Sequence, residues 1–406
     1  MFDLYEFINT YVTKRPGSML RKDIDDNVEA LNDAVSGTSI LVIGGAGSIG
    51  SSFIKAVLEF RPSELVVVDT NENALTELTR DLRSSGSYVP PVYLPYPMDY
   101  SSVTFQRMFK DHCRTDGTGG FDIVANFSAH KHVRSEKDIY SVEALIRNNV
   151  INAKGLLELL SDYPPKAYFC VSTDKAANPV NIMGASKRVM EDLIFSYSDR
   201  FPVKTARFAN VAFSNGSLPA GFLDRISHHQ PLSAPTDVKR YFVSPEESGQ
   251  ICMLSAILGD NRNIFFPKLE EAQMTTFDKI AEDLLSSMGY AIDYCDSDQE
   301  AIEKAGNWTA GQPYPVHFSS SDTSGEKAFE EFFVEGESVN MDRFKSLGII
   351  TDKDAPDKQR LSDLIKALND AFETPNCAKE DIVKLIAGYL PNFEHIETGK
   401  NLDGKM

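Results

Sequence analysis

Short β-branched runs alternate with helix-like stretches through the first half of this chain, and a glycine-rich turn directly follows the first run. Buried strands in that rhythm predict an α/β fold on a doubly wound parallel sheet with helices on both faces. The rhythm fades after about residue 210, and helical spacing returns near the end, which adds a smaller mixed α/β lobe and a helical C-terminal tail. The expected organisation is a helical arm over 1–36, a sheet domain over 37–210, a lobe over 211–345 with some strands or helices returning to the core, and a helical segment over 346–406.

In the arm, Pro16-Gly17 is a break, and Ile24, Val28, Leu31 and Val35 recur at helical spacing until Ser36-Gly37 ends the helix. Ser39 to Ile43 is the first strand. Leu65 to Asp69 is the second, and a helix follows from Glu72 to Arg83. Asp122 to Asn126, Ala167 to Ser172 and Val203 to Phe208 repeat the pattern. The lobe is rich in Pro, Gly, Ser and acids, with helices expected over Pro245–Leu258 and Phe277–Met288. Leu361–Phe372 and Lys379–Leu390 are the expected helices of the tail.

Of the 406 residues, 42% are hydrophobic and 25% charged, which excludes disordered, collagen-like and low-complexity classes. A net charge of −18 without a basic block argues against nucleic acid or an anionic membrane as partner. The five cysteines (Cys113, Cys170, Cys252, Cys295, Cys377) are scattered and point to a reducing cytoplasm. No metal site is expected, since His130 and His132 lack a partner set. The apolar run Ile251 to Leu258 is too short to insert in a membrane, and the N-terminal MFDLYEF carries acids where a signal peptide is positive. The expectation is a cytoplasmic protein.

Gly44-Gly45-Ala46-Gly47-Ser48-Ile49-Gly50 lies between the first strand and a helical pattern. Glycines at 44, 47 and 50 serve a tight turn, close approach of the backbone to a pyrophosphate, and close helix–strand packing. The helix N-terminus offers free N–H groups to the phosphates. Asp69 ends the second strand about 20 residues on, where an acid accepts ribose hydroxyls and repels a 2′-phosphate. A bare glycine triplet reads equally as a structural turn; the strand–turn–helix–strand setting favours a dinucleotide-binding Rossmann unit. NAD is the expected cofactor. NADP is the alternative, because Thr70, Asn71 and Lys55 can reshape the pocket.

Ser172-Thr173-Asp174-Lys175 follows the strand Ala167 to Ser172, where ligands of open parallel sheets sit. Alone it reads equally as a capped turn with a solvated lysine. Met183-Gly-Ala-Ser-Lys187 comes eight residues after Lys175, with Met183 and Lys187 on one helix face. Together with the glycine loop and Arg207-Phe-Ala-Asn210-Val, these motifs resemble the extended short-chain dehydrogenase/reductase family. Within it they are similar to nucleotide-sugar 4,6-dehydratases of polysaccharide biosynthesis, especially those acting on NDP-N-acetylglucosamine. Ser128-Ala-His-Lys-His-Val133, Asn149, Asn215-Gly-Ser217, Arg240-Tyr-Phe, Gly325-Glu-Lys-Ala-Phe-Glu-Glu331 and the tail from Phe393 to Lys400 are further points of resemblance. One departure stands out: the wider family has Tyr-x-x-x-Lys, and here Met183 takes the tyrosine's place, as in the membrane-anchored branch of these dehydratases.

The resemblance implies transient oxidation of a sugar at C4, loss of water across C5 and C6, and return of the hydride to C6 on a tightly bound, recycled cofactor. UDP-GlcNAc or GDP-GlcNAc is the implied substrate, and a homodimer or higher homo-oligomer the implied assembly. The catalytic set is Thr173 at the C4 oxygen, Asp174 as acid at the C6 oxygen, Lys175 as base at C5, and Lys187 as a charged cofactor-orienting group. Cofactor binding falls to Gly44, Ala46, Gly47, Ser48, Ile49, Gly50, Asp69, Asn71, Asp99, Ser128 and Lys187. Substrate binding falls to Lys131, His132, Asn149, Met183, Arg207, Asn210, Ser217 and Arg240, the cations among them serving the pyrophosphate. An acid must be protonated to donate and an amine neutral to accept, so Asp174 and Lys175 are expected to diverge around the sugar instead of pairing. The group that takes the C4 hydroxyl proton is left between water and Asp174, with Thr173 as relay. A nucleotide-sugar 4-epimerase and a non-catalytic NAD(P)-binding scaffold are the competing readings.

Overall fold

The computed structural model describes residues 2–115, 119–132, 136–321, 331–351 and 353–397. Its strands are β1 (Ser39–Ile43), β2 (Glu64–Asp69), β3 (Val92–Pro97), β4 (Ile123–Asn126), β5 (Ala167–Thr173), β6 (Val203–Phe208), β7 (Asn210–Val211) and β8 (Leu232–Pro235). They continue as β9 (Lys239–Arg240), β10 (Phe242–Val243), β11 (Ile264–Pro267), β12 (Thr275–Thr276), β13 (Ile292–Tyr294), β14 (Tyr314–Ser319), β15 (Ser338–Asn340) and β16 (Leu347–Thr351).

One nine-stranded sheet has the order β15-β16-β11-β6-β5-β4-β1-β2-β3. β1 to β6 and β11 are parallel, and β16 and β15 add antiparallel pairs at one edge. β1 lies between β2 and β4, so the strand order reverses there and a crevice opens beyond their carboxyl ends. Burial on both faces explains the apolar runs: Ile40 to Ile43 and Leu65 to Val68 are all within the core.

The doubly wound parallel sheet expected from the sequence is present, but it reaches past residue 210 to take in β11, β15 and β16. β3 escaped the sequence reading because Pro95 and Pro97 lie within it; both are tolerated since β3 is an edge strand and pairs on one side only. After the helical turns Leu4–Phe7 and Ile8–Val12, the arm has two helices, Arg21–Asp26 and Val28–Val35, where the spacing of Ile24 to Val35 predicted one. They part at Asn27, whose side-chain amide donates to the Asp23 carbonyl oxygen at 2.8 Å, inside the turn that a continuous helix would need.

Two cores carry the packing. Leu20, Ile24, Leu31 and Val35 of the arm join the main core around the large sheet. Phe7, Ile8 and Val12 join a second one with Phe222, Leu232, Phe242, Ile280 and Leu284. The lobe's own sheet runs β13-β14-β8. Among the described residues no helix is long and apolar enough to cross a membrane.

The helix Ser48–Leu58 after the glycine loop lies against the helix Pro245–Leu258 at backbone distance. A Cβ on Gly249 would stand 2.2 Å from the Ser52 carbonyl oxygen. Gly249→Ala should therefore destabilise the fold by about 1–3 kcal/mol through overpacking. Gly155, in the helix Ala153–Asp162, has nothing within 4 Å of such an atom. There the same change should stabilise by roughly 0.5–1 kcal/mol. Urea unfolding of both variants checks the opposite signs.

Candidate active site

The glycine loop is fixed by contacts that only a missing side chain permits. Gly44 sits at φ +69°, and a Cβ there would fall 2.7 Å from the Ser128 amide nitrogen. A Cβ on Gly50 would fall 2.3 Å from the Gly44 carbonyl oxygen. Gly45, to which the sequence reading gave no role, is equally tight, with Val67 2.5 Å away. Gly47 differs: a Cβ would meet only the Gly44 carbonyl oxygen, at 3.4 Å, so its outward face is open. Gly47 is also the N-cap of the helix Ser48–Leu58 and supplies no side-chain cap, so the first N–H groups of that helix, at Ser48 and Ile49, are not capped by it. An anion-sized cradle beside uncapped helical N–H groups fits a dinucleotide's pyrophosphate.

Asp69, at the end of β2, accepts the Ala46 N–H at 3.0 Å on Oδ2 and the Asn71 N–H at 2.9 Å on Oδ1. It thus braces the glycine loop at the place assigned to the ribose. Asn71 caps the helix Glu72–Ser84 by accepting the Ala74 N–H. Asp99 accepts from the Ser101 N–H and hydroxyl in the turn after β3. Ser128 donates its hydroxyl to Asn148 Oδ1 at 3.3 Å.

β5 ends in Thr173, and Asp174–Ala176 form a 3-10 turn. Asp174 Oδ1 accepts the Thr173 hydroxyl at 2.8 Å, the Lys175 N–H at 2.9 Å and the Lys175 ammonium at 3.2 Å. The expected divergence of Asp174 and Lys175 is therefore overturned. Oδ1 caps the turn at the Lys175 N–H, which holds the carboxylate beside the backbone of Lys175, and the lysine stem curls back onto it. Gly184 makes room for this turn, since a Cβ would lie 2.5 Å from the Lys175 carbonyl oxygen.

The helix Ile182–Phe195 starts at the Asn181 N-cap. Lys187 is buried, with Nζ 3.1 Å from the Val171 carbonyl oxygen. Burial lowers its pKa from the ordinary lysine value, opposed by nearby Cys170 and Glu191. Met183 is buried in the main core, and its N–H donates to Glu136 Oε1 at 2.8 Å. Glu136, absent from the sequence reading, also faces His395 Nε2 at 3.4 Å, while Ile396 N–H donates to the Val180 carbonyl oxygen. The C-terminal tail thus lies along the segment between the turn and this helix.

The substrate set divides. Lys131 Nζ donates to the Asn215 carbonyl oxygen at 2.9 Å, and the Asn215 N–H donates to the Ser48 hydroxyl at 2.8 Å, so that one residue bridges the glycine loop and the Lys131 loop. Gly216, at φ +74°, lies against the His132 ring. Ser217 caps the helix Leu218–Ser227. Asn210 pairs with Phe242 between β7 and β10, and Arg240 lies buried in β9 opposite Thr275. Asn149 spends its amide on the protein: it accepts the His130 N–H and donates to the His130 carbonyl oxygen and the Ser186 hydroxyl. It sits in a π-helical turn, Arg147–Asn152.

Arg207 departs furthest from expectation. It is 1% exposed, its Nε and Nη2 donate to Glu191 at 3.0 and 2.9 Å, and its Nη1 donates to Glu337 at 3.1 Å and the Phe332 carbonyl oxygen at 2.9 Å. A guanidinium so enclosed has no face left for a pyrophosphate. Glu191, fully buried, also accepts the Ser172 hydroxyl at 2.7 Å, and its pKa is held down at about 2, the guanidiniums of Arg207 and Arg188 and the Ser172 hydroxyl overcoming the opposing effect of burial. The signal for Glu191 was its place one turn after Lys187 on the same helix; Glu337 had none. Val133 and Gly325 to Phe329 of the motifs lie outside the described residues, as do Glu330 and Thr398 to Lys400.

A carboxylate held that low stabilises the fold above the ordinary glutamate range near pH 4.5, and the contribution is lost as pH falls toward 2. Unfolding free energy should drop across that window. Glu191→Gln should flatten that part of the profile and cost roughly 3–5 kcal/mol at pH 7 by leaving buried Arg207 short of a counter-charge. Denaturant titrations from pH 2.5 to 7 measure both.

Comparisons with known proteins show what the chain is similar to. The family described as "Polysaccharide biosynthesis protein" matches residues 40–352. The probable polysaccharide biosynthesis protein EpsC of Bacillus subtilis is 25% identical over 360 residues, covering 87% of this chain; the chain spans only 57% of that protein's length. A UDP-N-acetylglucosamine 4,6-dehydratase (inverting) of Campylobacter jejuni is 26% identical over 251 residues, covering 59% of this chain and 70% of its own. In three dimensions, the dTDP-glucose 4,6-dehydratase DesIV of Streptomyces venezuelae, solved with NAD, shares the fold at a TM-score of 0.53 and 18% identity, over 72% of this chain and 88% of that one. With its glycine cradle at the reversal of a parallel sheet and the family match along most of its length, the chain belongs to the polysaccharide biosynthesis protein family and shares its fold with the dehydratase DesIV.

Proposed function

We propose that this chain is a nucleotide-sugar 4,6-dehydratase that converts UDP-GlcNAc or GDP-GlcNAc to the 4-keto-6-deoxy sugar in the cytoplasm, for surface polysaccharide. The observation that carries the reading is the hydrogen-bonded set Thr173–Asp174–Lys175 at the carboxyl end of β5. NAD(P) in the Gly47 cradle, NAD being preferred because Asp69 would repel a 2′-phosphate, supplies a reversible hydride acceptor for C4 and donor for C6.

The chain's own residues then handle protons. Thr173 donates to Asp174, so a proton leaving the C4 hydroxyl passes through Thr173 to the Asp174 carboxylate. That transfer makes Asp174 the neutral acid that loss of the C6 hydroxyl requires. It also removes the charge that holds the Lys175 ammonium. Once Lys175 has released its proton to solvent, its amine takes the C5 proton, and Asp174 gives its proton to the departing oxygen; as the hydride returns to C6, the Lys175 ammonium gives a solvent-exchangeable proton back to C5. Met183 cannot serve as acid or base, which is why the relay falls to residues 173 and 174.

A 4-epimerase has no use for an acid and a base at C6 and C5. Incubation with UDP-GlcNAc and with GDP-GlcNAc in deuterated water separates the readings: loss of water with deuterium at C5 is expected with one donor. A product of unchanged mass inverted at C4 would mean epimerase, and no product with either donor would mean a binding protein. Lys175→Met and Asp174→Asn should each lower turnover at least about a hundredfold while retaining bound cofactor. Wild-type rates in Lys175→Met would remove the base assignment.

A further inference from the structure

We propose that Ser172, Glu191 and Arg207 are positioning residues that close a ring of contacts around the turn carrying Thr173, Asp174 and Lys175. Ser172 and Arg207 are direct partners across β5 and β6, so their side chains share one face of the sheet. Both reach the same oxygen, Glu191 Oε1, at 2.7 and 3.0 Å. Thr173, the next residue, points to the opposite face by strand alternation. Glu191 thus grips the last residue before the site from behind and leaves the reactive side chains free.

From Glu191 the ring passes through Arg207 to the Phe332 carbonyl oxygen and to Glu337. Glu337 is held further by Lys353 at 2.9 Å and by the Val334 N–H at 3.0 Å. Glu331, at the start of that segment, accepts from Asn178 Nδ2 at 2.9 Å, three residues past Lys175. Residues 172 and 178, at the two ends of the turn, are therefore each one step from one buried cation, the first through Glu191 and the second through Glu331, whose neighbour Phe332 accepts from Arg207. Such a frame opposes rotation of the Asp174 peptide when a substrate parts Asp174 from Lys175, and geometry of that kind acts on turnover more than on binding.

The kinetic arm of the test rests on the dehydratase reading; a second arm does not. Arg207 and Glu191 variants would lose a buried ion pair, so the probe is Ser172→Ala, which removes one hydroxyl and leaves that pair intact. Its kcat for water loss from the nucleotide sugar should fall about tenfold, with KM and cofactor content unchanged. Amide hydrogen exchange over residues 172–178 should quicken about tenfold while exchange in β1 and β2 stays the same. Wild-type kcat, or a raised KM with kcat intact, would overturn the proposal, the latter by making Ser172 a substrate contact. Should the wild-type protein dehydrate neither sugar, the dehydratase reading fails by itself. Exchange then decides: faster exchange in Ser172→Ala sustains the ring and unchanged exchange refutes it.

Discussion

A carboxylate shut away from water lies at the centre of this molecule, and the arrangement of the site follows from how it is satisfied. Glu191 cannot be left between its helix and the parallel sheet without partners, because an isolated buried charge costs far more than any single contact returns. Its partners come from β5, from β6 and from its own helix, which fixes the relative position of those three elements. Arg207 in turn demands Glu337, and so a segment that is remote in sequence is drawn against the sheet. In a chain of net charge −18, this is a place where a cation is enclosed by acids within the fold.

The cofactor side of the crevice obeys a different constraint, that of backbone approaching backbone. Gly44, Gly45 and Gly50 are needed by the protein's own packing, whereas Gly47 faces outward. The motif is thus mostly about assembling strand and helix, with one position left open. Asp69 shows the same economy, bracing the glycine loop through Ala46 with one oxygen and the turn after β2 through Asn71 with the other, from the position assigned to the ribose.

What could be read in the sequence was what local chemistry encodes. β1, β2, β4 and β5 are mostly apolar because both faces are covered, and the helix from Pro245 to Leu258 carries its own proline and capping residue. The glycine loop and the run from Thr173 to Lys175 were legible because residue type and position coincide. β3 was hidden by two prolines that only an edge strand tolerates. The roles of Arg207 and Asn149 were misread for a common reason: a cation or an amide beside a site looks the same in sequence whether it faces a ligand or the protein. Only the partners decide, and Glu337 lies 130 residues from Arg207 along the chain.

The π-helical turn at Arg147–Asn152 carries an evolutionary consequence. Such a turn holds one residue more than a regular helix, and each residue advances an α-helix by about 100°. A single-codon deletion within it would restore an unbroken helix yet swing the Asn149 amide away from the His130 backbone. The loop bearing Lys131 and His132 would lose one of its anchors in one genetic event, without any change of side-chain chemistry.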